Sequence, residues 1–421
     1  MLTKKIKLTA IMLSVTFTAT SMADDVNSTV EKALKFGQDD AKYGQIKFDL
    51  RYRYENFDSV NPKLQPGNAS IARLRLGYLT PVFQGLQGFA EFEGNQDIGS
   101  NSYNTGLNGK TQYERIADPQ RNELNQLWVS YKGIPKTEAK VGRQRIQLDN
   151  ERFIGAAAWR QLERTYDALM INNTSLPNTA ITMGYINRDQ NTDATIQNIE
   201  VPVANISYNI ANVGKLVSYG YLIDYKKDPN LTLRQQSNQT YGASFDGTRK
   251  LNDMLGFVYR SEYAYQTNYG YSTPYNADYY HVVGGLSAYG FTVKGAMEQL
   301  GGKGTNKTFD TPLGLLHRFS GWADVFTTTP DAGYRDVYAS VEKEIVGVKF
   351  TSFYRDWSDD TSKKHFGREI DFMLSKDFFK HYNVYAKYAN FSADTNGTNI
   401  VGTTGRLYDT QKVWVGGSIN Y

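Results

Sequence analysis

The pattern that most limits how this chain can fold is a strict alternation of apolar and charged side chains. In residues 45–55, one series of alternate positions is apolar or aromatic: Ile46, Phe48, Leu50, Tyr52 and Tyr54. The positions between them are all charged: Lys47, Asp49, Arg51, Arg53 and Glu55. A period of two places the two series on opposite faces of a β-strand. Residues 71–79 and 86–95 repeat the pattern.

The alternation continues to the end of the chain and predicts eighteen strands in total. After the first three, the predicted strands cover residues 122–132, 137–145, 164–172, 180–189, 202–210, 214–225, 239–248, 254–266, 279–287, 291–300, 334–343, 346–357, 366–376, 382–391 and 413–421. Most are about nine to eleven residues long, which suits a tilted crossing of a bilayer. Helical periodicity is confined to residues 26–36, where it is weak.

A membrane barrel explains this pattern better than a soluble β-sandwich does. A sandwich must fill a core, and it rarely holds eighteen strands in one domain. Charged faces at this density need water, which the lumen of a barrel supplies. The 31 Tyr and 21 Phe include pairs near predicted strand ends, such as Tyr263 with Tyr265, where barrels place their aromatic girdles. The predicted fold is all-β, a transmembrane antiparallel up-and-down β-barrel of about eighteen strands.

Composition excludes several other classes of protein. The mean hydropathy of −0.53 argues only against a helical membrane protein, because half of each barrel strand faces water. Cysteine is absent and only four His are present, so disulfides, Cys-ligated zinc and iron–sulfur clusters are excluded. We expect no cofactor.

The N-terminus has the features of a secretory signal peptide. Three lysines precede an apolar stretch over residues 8–19, and Ser21 and Ala23 are small residues before a cleavage site at Asp24. The predicted division is a signal peptide at 1–23, a periplasmic segment at 24–44 and a barrel at 45–421. Without those lysines the chain has 44 basic and 43 acidic residues, so no nucleic-acid partner is expected.

One spacing imitates a metal site. Asp189, Asn191, Asp193 and Glu200 match four positions of a calcium-binding loop. Ala194 stands where the tight turn of such a loop needs Gly, and predicted strands flank the segment where helices are required. We therefore predict no metal site.

The end of the chain and the connections favour the bacterial outer membrane. The last strand carries Val413, Val415, Ile419 and the terminal Tyr421 in one phase, which looks like the signal read by the barrel assembly machinery. Short predicted turns at 81–85, 133–136 and 211–214 contrast with long polar loops at 95–119, 187–202, 301–333 and 392–410. Short periplasmic turns and long outer loops are typical of these barrels. Outer-membrane lipid and lipopolysaccharide are the expected surroundings.

Three stretches resemble the alginate export porin family. They read RYRYE at 51–55, GRQRIQLDNERFIG at 142–155 with WRQ at 159–161, and TPLGLLHRFSGWAD at 311–324. The resemblance runs from about Tyr43 to Tyr421, and it departs from the family pattern at Arg318 and Ser320. It implies an eighteen-strand outer-membrane barrel with an ion-lined lumen, whose best-known members export an anionic uronate polysaccharide. Many relatives look like general or uptake porins.

The first candidate site is a basic group that we call the basic wall, formed by Arg51, Arg53, Arg73 and Arg75 on two adjacent strands. Alternation predicts that all four point into the lumen, where guanidinium groups suit carboxylate or phosphate solutes. The alternative is an ion-pair lattice, in which Asp49, Glu55, Glu91 and Glu93 neutralise these arginines. The sequence leaves both interpretations open.

The other pore-lining candidates combine both signs of charge. They are Arg143, Arg145, Arg152, Arg160 and Asp167, followed by Arg260, Glu262 and Arg355 on later strands. The family resemblance implies that the first group contributes to the constriction; the alternative is a loop that these charges pin inside the lumen. Segregated charges of both signs would produce a transverse field across the pore.

The stretch at 311–324 is too apolar for a free surface loop, and we expect its His317, Trp322 and Asp324 to form a packed plug or hairpin. His317 and Asp324 could also form part of a hydrolytic triad with Ser320. Ser320 lacks the G-x-S-x-G context of a nucleophile elbow, so the protein is not expected to be an enzyme.

The sequence therefore predicts an outer-membrane porin for passive diffusion of hydrophilic, anionic solutes, with a monomer favoured over a trimer. The alternatives are a plugged, non-conducting structural or adhesive barrel and, less well supported, an outer-membrane lipid hydrolase.

Overall fold

A computed structural model of the chain describes residues 20–225, 227–399 and 406–421. Eighteen strands form one closed antiparallel sheet, as predicted. Seventeen of them are β1 (Gln45–Ser59), β2 (Gly67–Leu79), β3 (Leu86–Ser102), β4 (Arg121–Tyr131), β5 (Thr137–Gln144), β6 (Thr165–Asn173), β7 (Thr179–Gln190), β8 (Ile196–Ile210), β9 (Gly214–Ile223), β10 (Asn238–Lys250), β11 (Leu255–Asn268), β12 (Asn276–Ala288), β13 (Phe291–Leu300), β14 (Tyr334–Ile345), β15 (Val348–Ser358), β16 (His365–Phe378) and β17 (Tyr382–Ala393). A short ribbon of β18 (Thr398–Asn399) and β19 (Arg406–Leu407) precedes the last barrel strand, β20 (Thr410–Asn420).

The barrel closes because the first and last strands pair. β1 pairs with β2 on one side and with β20 on the other, in registers that run from Asp49 opposite Asn420 to Ser59 opposite Thr410. Closure gives every strand two neighbours and leaves no open edge, which a strand inside a bilayer cannot tolerate.

Alternation sorts the side chains as the sequence predicts. On β2, Leu74, Leu76 and Tyr78 are exposed on the outer surface, whereas Arg73 and Arg75 are buried inside. The apolar series therefore faces lipid and the charged series faces the lumen.

The connections also alternate in length around the barrel. One end carries eight short connections, the longest at residues 80–85; we call this the turn end. The opposite end, the loop end, carries the long segments, including residues 103–120, 145–164 and 301–333. The expected long loop at 187–202 is wrong, because β7 and β8 continue past a bulge near Ile186 and leave only residues 191–195 as a connection. In the polar tip of this hairpin, the backbone hydrogen bonds between β7 and β8 continue beyond the point where the apolar alternation ends. The predicted 392–410 loop includes residues 400–405, which lie outside the described residues.

Two loop-end segments fold back into the barrel. We call residues 145–164 inner loop 1 and residues 301–333 inner loop 2. They join through a parallel bridge between Ile154 and Leu313 and a backbone hydrogen bond of 2.9 Å from Gly155 to Leu313. Phe153, Phe309 and neighbouring aromatic side chains of the wall form a buried cluster around this junction. The inner loops thus fill part of the lumen.

Three helices are described: α1 (Thr20–Leu34), α2 (Leu231–Arg234) and α3 (Leu316–Phe319). α1 bears out the helical expectation for residues 26–34 and lies at the turn end, where Asn27 donates to the Phe379 carbonyl at 2.9 Å. Within the described ranges no helix is long and apolar enough to cross a bilayer. The predicted signal peptide falls mostly on residues 1–19, outside the described residues.

Neighbouring positions on β12 provide a test of the two faces. Val282 is exposed on the lipid side, and Val283 lines a lumen cavity. We expect Val282→Arg to destabilise the folded barrel by about 2–4 kcal/mol, because a guanidinium would enter the hydrocarbon region. Val283→Arg should destabilise the folded barrel much less. Denaturation of the barrel in lipid vesicles by guanidinium chloride would measure both losses of stability. Equal losses for the two variants would contradict this assignment of faces.

Candidate functional site

The basic wall is an ion-pair lattice along most of its length. Arg73 pairs with Asp49, Arg75 donates to Glu93 at 3.0 Å, and Arg53 pairs with Asp118 and lies 3.6 Å from Glu55. Arg51 differs, because among the described residues no carboxylate lies within 4.0 Å of it. Its guanidinium donates instead to inner loop 1, at 2.9 Å to the Ala158 carbonyl and 2.7 Å to Gln161 Oε1.

The WRQ segment at residues 159–161 therefore rests on the basic wall. Arg53 donates to the Trp159 carbonyl at 2.5 Å, and Gln161 donates to the Ile71 carbonyl at 3.1 Å. For the second basic group, the structure shows a loop held inside the lumen, and its part in a constriction stays a prediction. Several hydrogen-bond donors of the wall arginines thus bind that loop.

Glu163 is a carboxylate of inner loop 1 that bridges two strands. It accepts from Arg145 at 2.6 Å and from Asn125 at 2.7 Å, and it lies 3.4 Å from Arg75. Burial alone would raise the pKa of Glu163, but Arg75 and Arg145 outweigh it and hold that pKa below its usual value. Glu163 is thus an ionised link between the loop and the wall.

Asp118 has the same role in the loop of residues 103–120. Burial opposes its ionisation, but Arg53 and Arg160 lower the pKa of Asp118 below its usual value. Neither Glu163 nor Asp118 could be predicted from strand alternation, because both lie in irregular segments where periodicity gives no facing direction. The only sequence signal for Glu163 was its proximity to Arg160, and the only one for Asp118 was its position in the 103–120 loop.

The remaining predicted residues all lie in paired positions inside the barrel. Glu91 accepts from Asn125 at 2.8 Å and Gln126 at 2.9 Å. Arg143 donates to Asp167 at 2.7 Å. Arg152 lies 2.8 Å from Glu298, and Arg160 lies 3.4 Å from Glu55 and 3.2 Å from Asp324. On the opposite wall, Arg260 pairs with Glu262 at 2.8 Å, and Arg355 pairs with Asp336.

The residues of the 311–324 stretch form a buried cluster against the wall. His317 donates from Nδ1 to Asp324 at 2.7 Å and accepts at Nε2 from Lys387 at 2.6 Å. Trp322 packs against Phe353, with ring centroids 5.4 Å apart. Because both ring nitrogens of His317 are occupied, no hydrogen bond joins His317 to Ser320, and the geometry of a hydrolytic triad is absent from this described segment.

Two cavities lie along β1. A narrow cross-section of the lumen, which we call the narrow level, separates them. The turn-end cavity has a volume of about 670 Å³ and reaches from Lys47 to Arg51. The loop-end cavity has a volume of about 450 Å³ and is lined by Phe57, Ser59 and Asp324. Arg53 and Glu55 lie between them and are each only 1% exposed. At this level, Trp159, Arg160 and Asp118 thus cover the wall and leave no cavity beside Arg53 and Glu55.

The turn-end cavity has an excess of positive charge. Six of its lining residues are cationic and three are carboxylates: Lys47, Arg51, Arg73, Arg75, Lys140 and Arg145 against Asp49, Glu91 and Glu163. The loop-end cavity is balanced, with Lys63 and Arg406 against Glu114 and Asp324. Positive potential therefore concentrates at one end of the lumen.

No group of three or more possible metal ligands occurs in the described part of the chain. In the calcium-like segment, Asp189 lies 3.3 Å from Arg164, and Asp193 accepts from Thr195 at 2.5 Å. These contacts stabilise a hairpin tip.

A closed eighteen-strand barrel with a lipid-facing apolar surface and a charged lumen defines a porin-like protein of the bacterial outer membrane. The profile of the family described as alginate export matches residues 42–292. The chain belongs to this family. A search of curated proteins found no match.

Solved porin structures share the fold at low sequence identity. OccK5 (OpdH) of Pseudomonas aeruginosa is 11% identical, with a TM-score of 0.63 over 90% of this chain and 98% of its own. OccAB2 of Acinetobacter baumannii is 14% identical, with a TM-score of 0.67 over 89% and 98%. OpdK of Pseudomonas aeruginosa, solved with vanillate, is 12% identical, with a TM-score of 0.65 over 89% and 99%. These similarities support the fold.

Removing the Glu163 carboxylate tests the lattice. Glu163→Gln leaves Arg145 without a charged partner and Arg75 with Glu93 alone, which we expect to weaken the attachment of inner loop 1 by about 3–5 kcal/mol. Limited proteolysis within residues 145–164 should become faster, and single-channel current should become noisier.

The control is Glu138→Gln, which removes the exposed pair with Lys132 at 3.4 Å. Exposed pairs contribute about 0–1 kcal/mol, so this variant should resemble the wild type. Unchanged proteolysis in Glu163→Gln would show that Glu163 does not hold the loop.

Proposed function

We propose that this protein is a channel for passive diffusion of small hydrophilic solutes that carry carboxylate or other anionic groups. The observation that supports this most directly is the turn-end cavity, where cations outnumber carboxylates two to one. A solute anion there meets a local excess of positive charge within a low-dielectric barrel, which concentrates anions relative to bulk solution.

Two lysines supply the charge that is free to act on a solute. Lys47 has no ion-pair partner among the described residues, and Lys140 lies 4.5 Å from the centre of the Trp128 ring. By contrast, Arg73 and Arg75 are neutralised by nearby carboxylates. We therefore assign selectivity to Lys47 and Lys140, with Arg51 at the inner end of the cavity.

Selectivity can be reversed without breaking the lattice. We expect Lys47→Glu combined with Lys140→Glu to lower the chloride-to-potassium permeability ratio severalfold, because four units of charge change at one cavity. Reversal potentials in planar bilayers under a KCl gradient would measure this. Lys132→Glu is the control, since Lys132 lies at the same turn end but does not line the cavity. Cation selectivity of the wild type would refute the proposal.

A plugged, non-conducting barrel with a structural or adhesive role is the second candidate. The sealed level at Arg53 and Glu55 favours it, because the two β1 cavities are not joined along that wall. The same bilayer measurement separates the candidates, since a plugged barrel gives no channels at any voltage.

We further propose that transport involves no covalent chemistry. Ser320 is 1% exposed, and both nitrogens of His317 are bonded elsewhere. Ser320→Ala should leave conductance unchanged, and neither protein should hydrolyse phospholipid or p-nitrophenyl esters. Ester hydrolysis that depends on Ser320 would contradict this proposal and support the alternative of a lipid hydrolase.

Several finer features belong to the same proposal. The segment 24–44 would lie in the periplasm, since α1 contacts the turn end. Insertion would require the barrel assembly machinery, and the protein would function as a monomer in contact with lipopolysaccharide.

A further inference from the structure

His317 lies where both inner loops meet the barrel wall. Its ring stacks on Trp159 of inner loop 1, with centroids 4.4 Å apart and 3° between the planes. It also contacts Trp414 of β20, with centroids 5.7 Å apart. Since Nδ1 donates to Asp324 and Nε2 accepts from Lys387, the ring is neutral with its proton on Nδ1.

Lys387 of β17 is held by aromatic faces. Its ammonium lies 3.7 Å from the centre of the Trp322 ring, 4.0 Å from that of Trp159 and 5.3 Å from that of Trp414. Cation–π attraction fixes it in this position. We call His317, Asp324, Lys387, Trp159 and Trp322 the latch cluster. It joins inner loop 1, inner loop 2 and the wall.

Charged groups surround the latch cluster on every side. Asp324 accepts from Lys412 of β20 at 2.9 Å and from Arg160 of inner loop 1 at 3.2 Å. Glu369 and Asp371 of β16 and Arg53 of β1 act electrostatically on Lys387. Asp324 is therefore already shared among three donors and offers little further compensation to a positive imidazole.

A second proton on His317 has no place in this arrangement. It would reside on Nε2 and point at the Lys387 ammonium, which lies 2.6 Å away. The hydrogen bond would be lost, and two cations would face each other in a buried site. The contact between His317 of inner loop 2 and β17 would be broken.

We propose that His317 is an acid-sensitive latch that holds the inner loops across the level between the two β1 cavities. Protonation releases inner loop 2 together with Asp324, removes that carboxylate from Arg160 of inner loop 1, and joins the turn-end and loop-end cavities. The opening of a conducting path rests on the proposed channel function. The release of the latch does not.

The direction of the pH dependence follows from the closed state. Burial lowers the pKa of His317 well below its ordinary value; Asp324 opposes this shift and Lys387 adds to it. A released His317 would regain a pKa near 6.5, so the open state binds more protons. The closed state is thus fully stable above about pH 6.5 and weakens below it, by up to about tenfold per pH unit.

Tryptophan emission can follow the latch without any current measurement. Three of the five Trp residues, Trp159, Trp322 and Trp414, contact His317 or Lys387. In folded protein in lipid vesicles, we expect emission to move to longer wavelength between about pH 7 and about pH 4 as water enters. Single-channel conductance should rise over the same interval.

His317→Gln is the matched substitution, because its amide can donate to Asp324 and accept from Lys387 without titrating. This variant should lose both pH transitions. His281→Gln is the control: His281 is also buried in the lumen, but it contacts Tyr338 at 3.0 Å and lies outside the latch cluster. It should retain the wild-type profile.

Each outcome decides the proposal. An emission shift in His317→Gln equal to that of the wild type would overturn it, as would constant wild-type emission between about pH 7 and about pH 4. The wild-type titration decides even if His317→Gln fails to fold. A barrel that never conducts but still shows the emission transition would refute the channel function and leave the latch intact.

Discussion

Arginine–carboxylate pairing inside the barrel is the interaction on which the arrangement of the lumen depends. A guanidinium that leaves water must find ionic or hydrogen-bonding partners, since an unpaired buried charge costs several kcal/mol. Strand alternation commits Arg53, Arg73 and Arg75 to the interior. Neighbouring strands supply Asp49 and Glu93, and loops supply the remaining partners. The inner loops are thus part of the charge balance of the wall.

This division of partners explains the asymmetry of the lumen. Near the middle of β1, loop carboxylates such as Asp118 neutralise the wall, and the loop segments that carry them occupy the space. Near the turn end, no carboxylate of the described residues pairs with Lys47 or Lys140, so those cations stay uncompensated and face a cavity. The same interaction therefore closes one level and leaves positive potential at another. In the proposed channel, selectivity and closure would come from different parts of one wall.

The barrel was predictable from the sequence because period two carries both strand identity and facing direction. Eighteen strands, closure and the inward direction of Arg73 and Arg75 all follow from it. The pairing did not follow, because Arg53 and Asp118 are 65 residues apart and Asp118 lies in an irregular segment. For the same reason, two interpretations of the basic wall stayed open at the level of the sequence, and the role of Glu163 could not be predicted. The His317–Lys387 contact spans 70 residues and had no sequence signal beyond an unusually apolar loop.

The closed level also bears on what a family known for alginate export can do with this lumen. A polymer that ran between the turn-end and loop-end cavities of β1 would have to pass Arg53 and Glu55. Both are sealed by inner loop 1, whose position depends on Arg51, Glu163 and the contact with inner loop 2. Passage of a chain therefore requires both loops to move together, whereas a small anion needs only a local gap between Trp159 and the wall. Since the loops are joined to each other and to the wall by buried ion pairs, the smaller displacement costs less free energy. For the proposed channel, the joined inner loops therefore favour small solutes over a polymer.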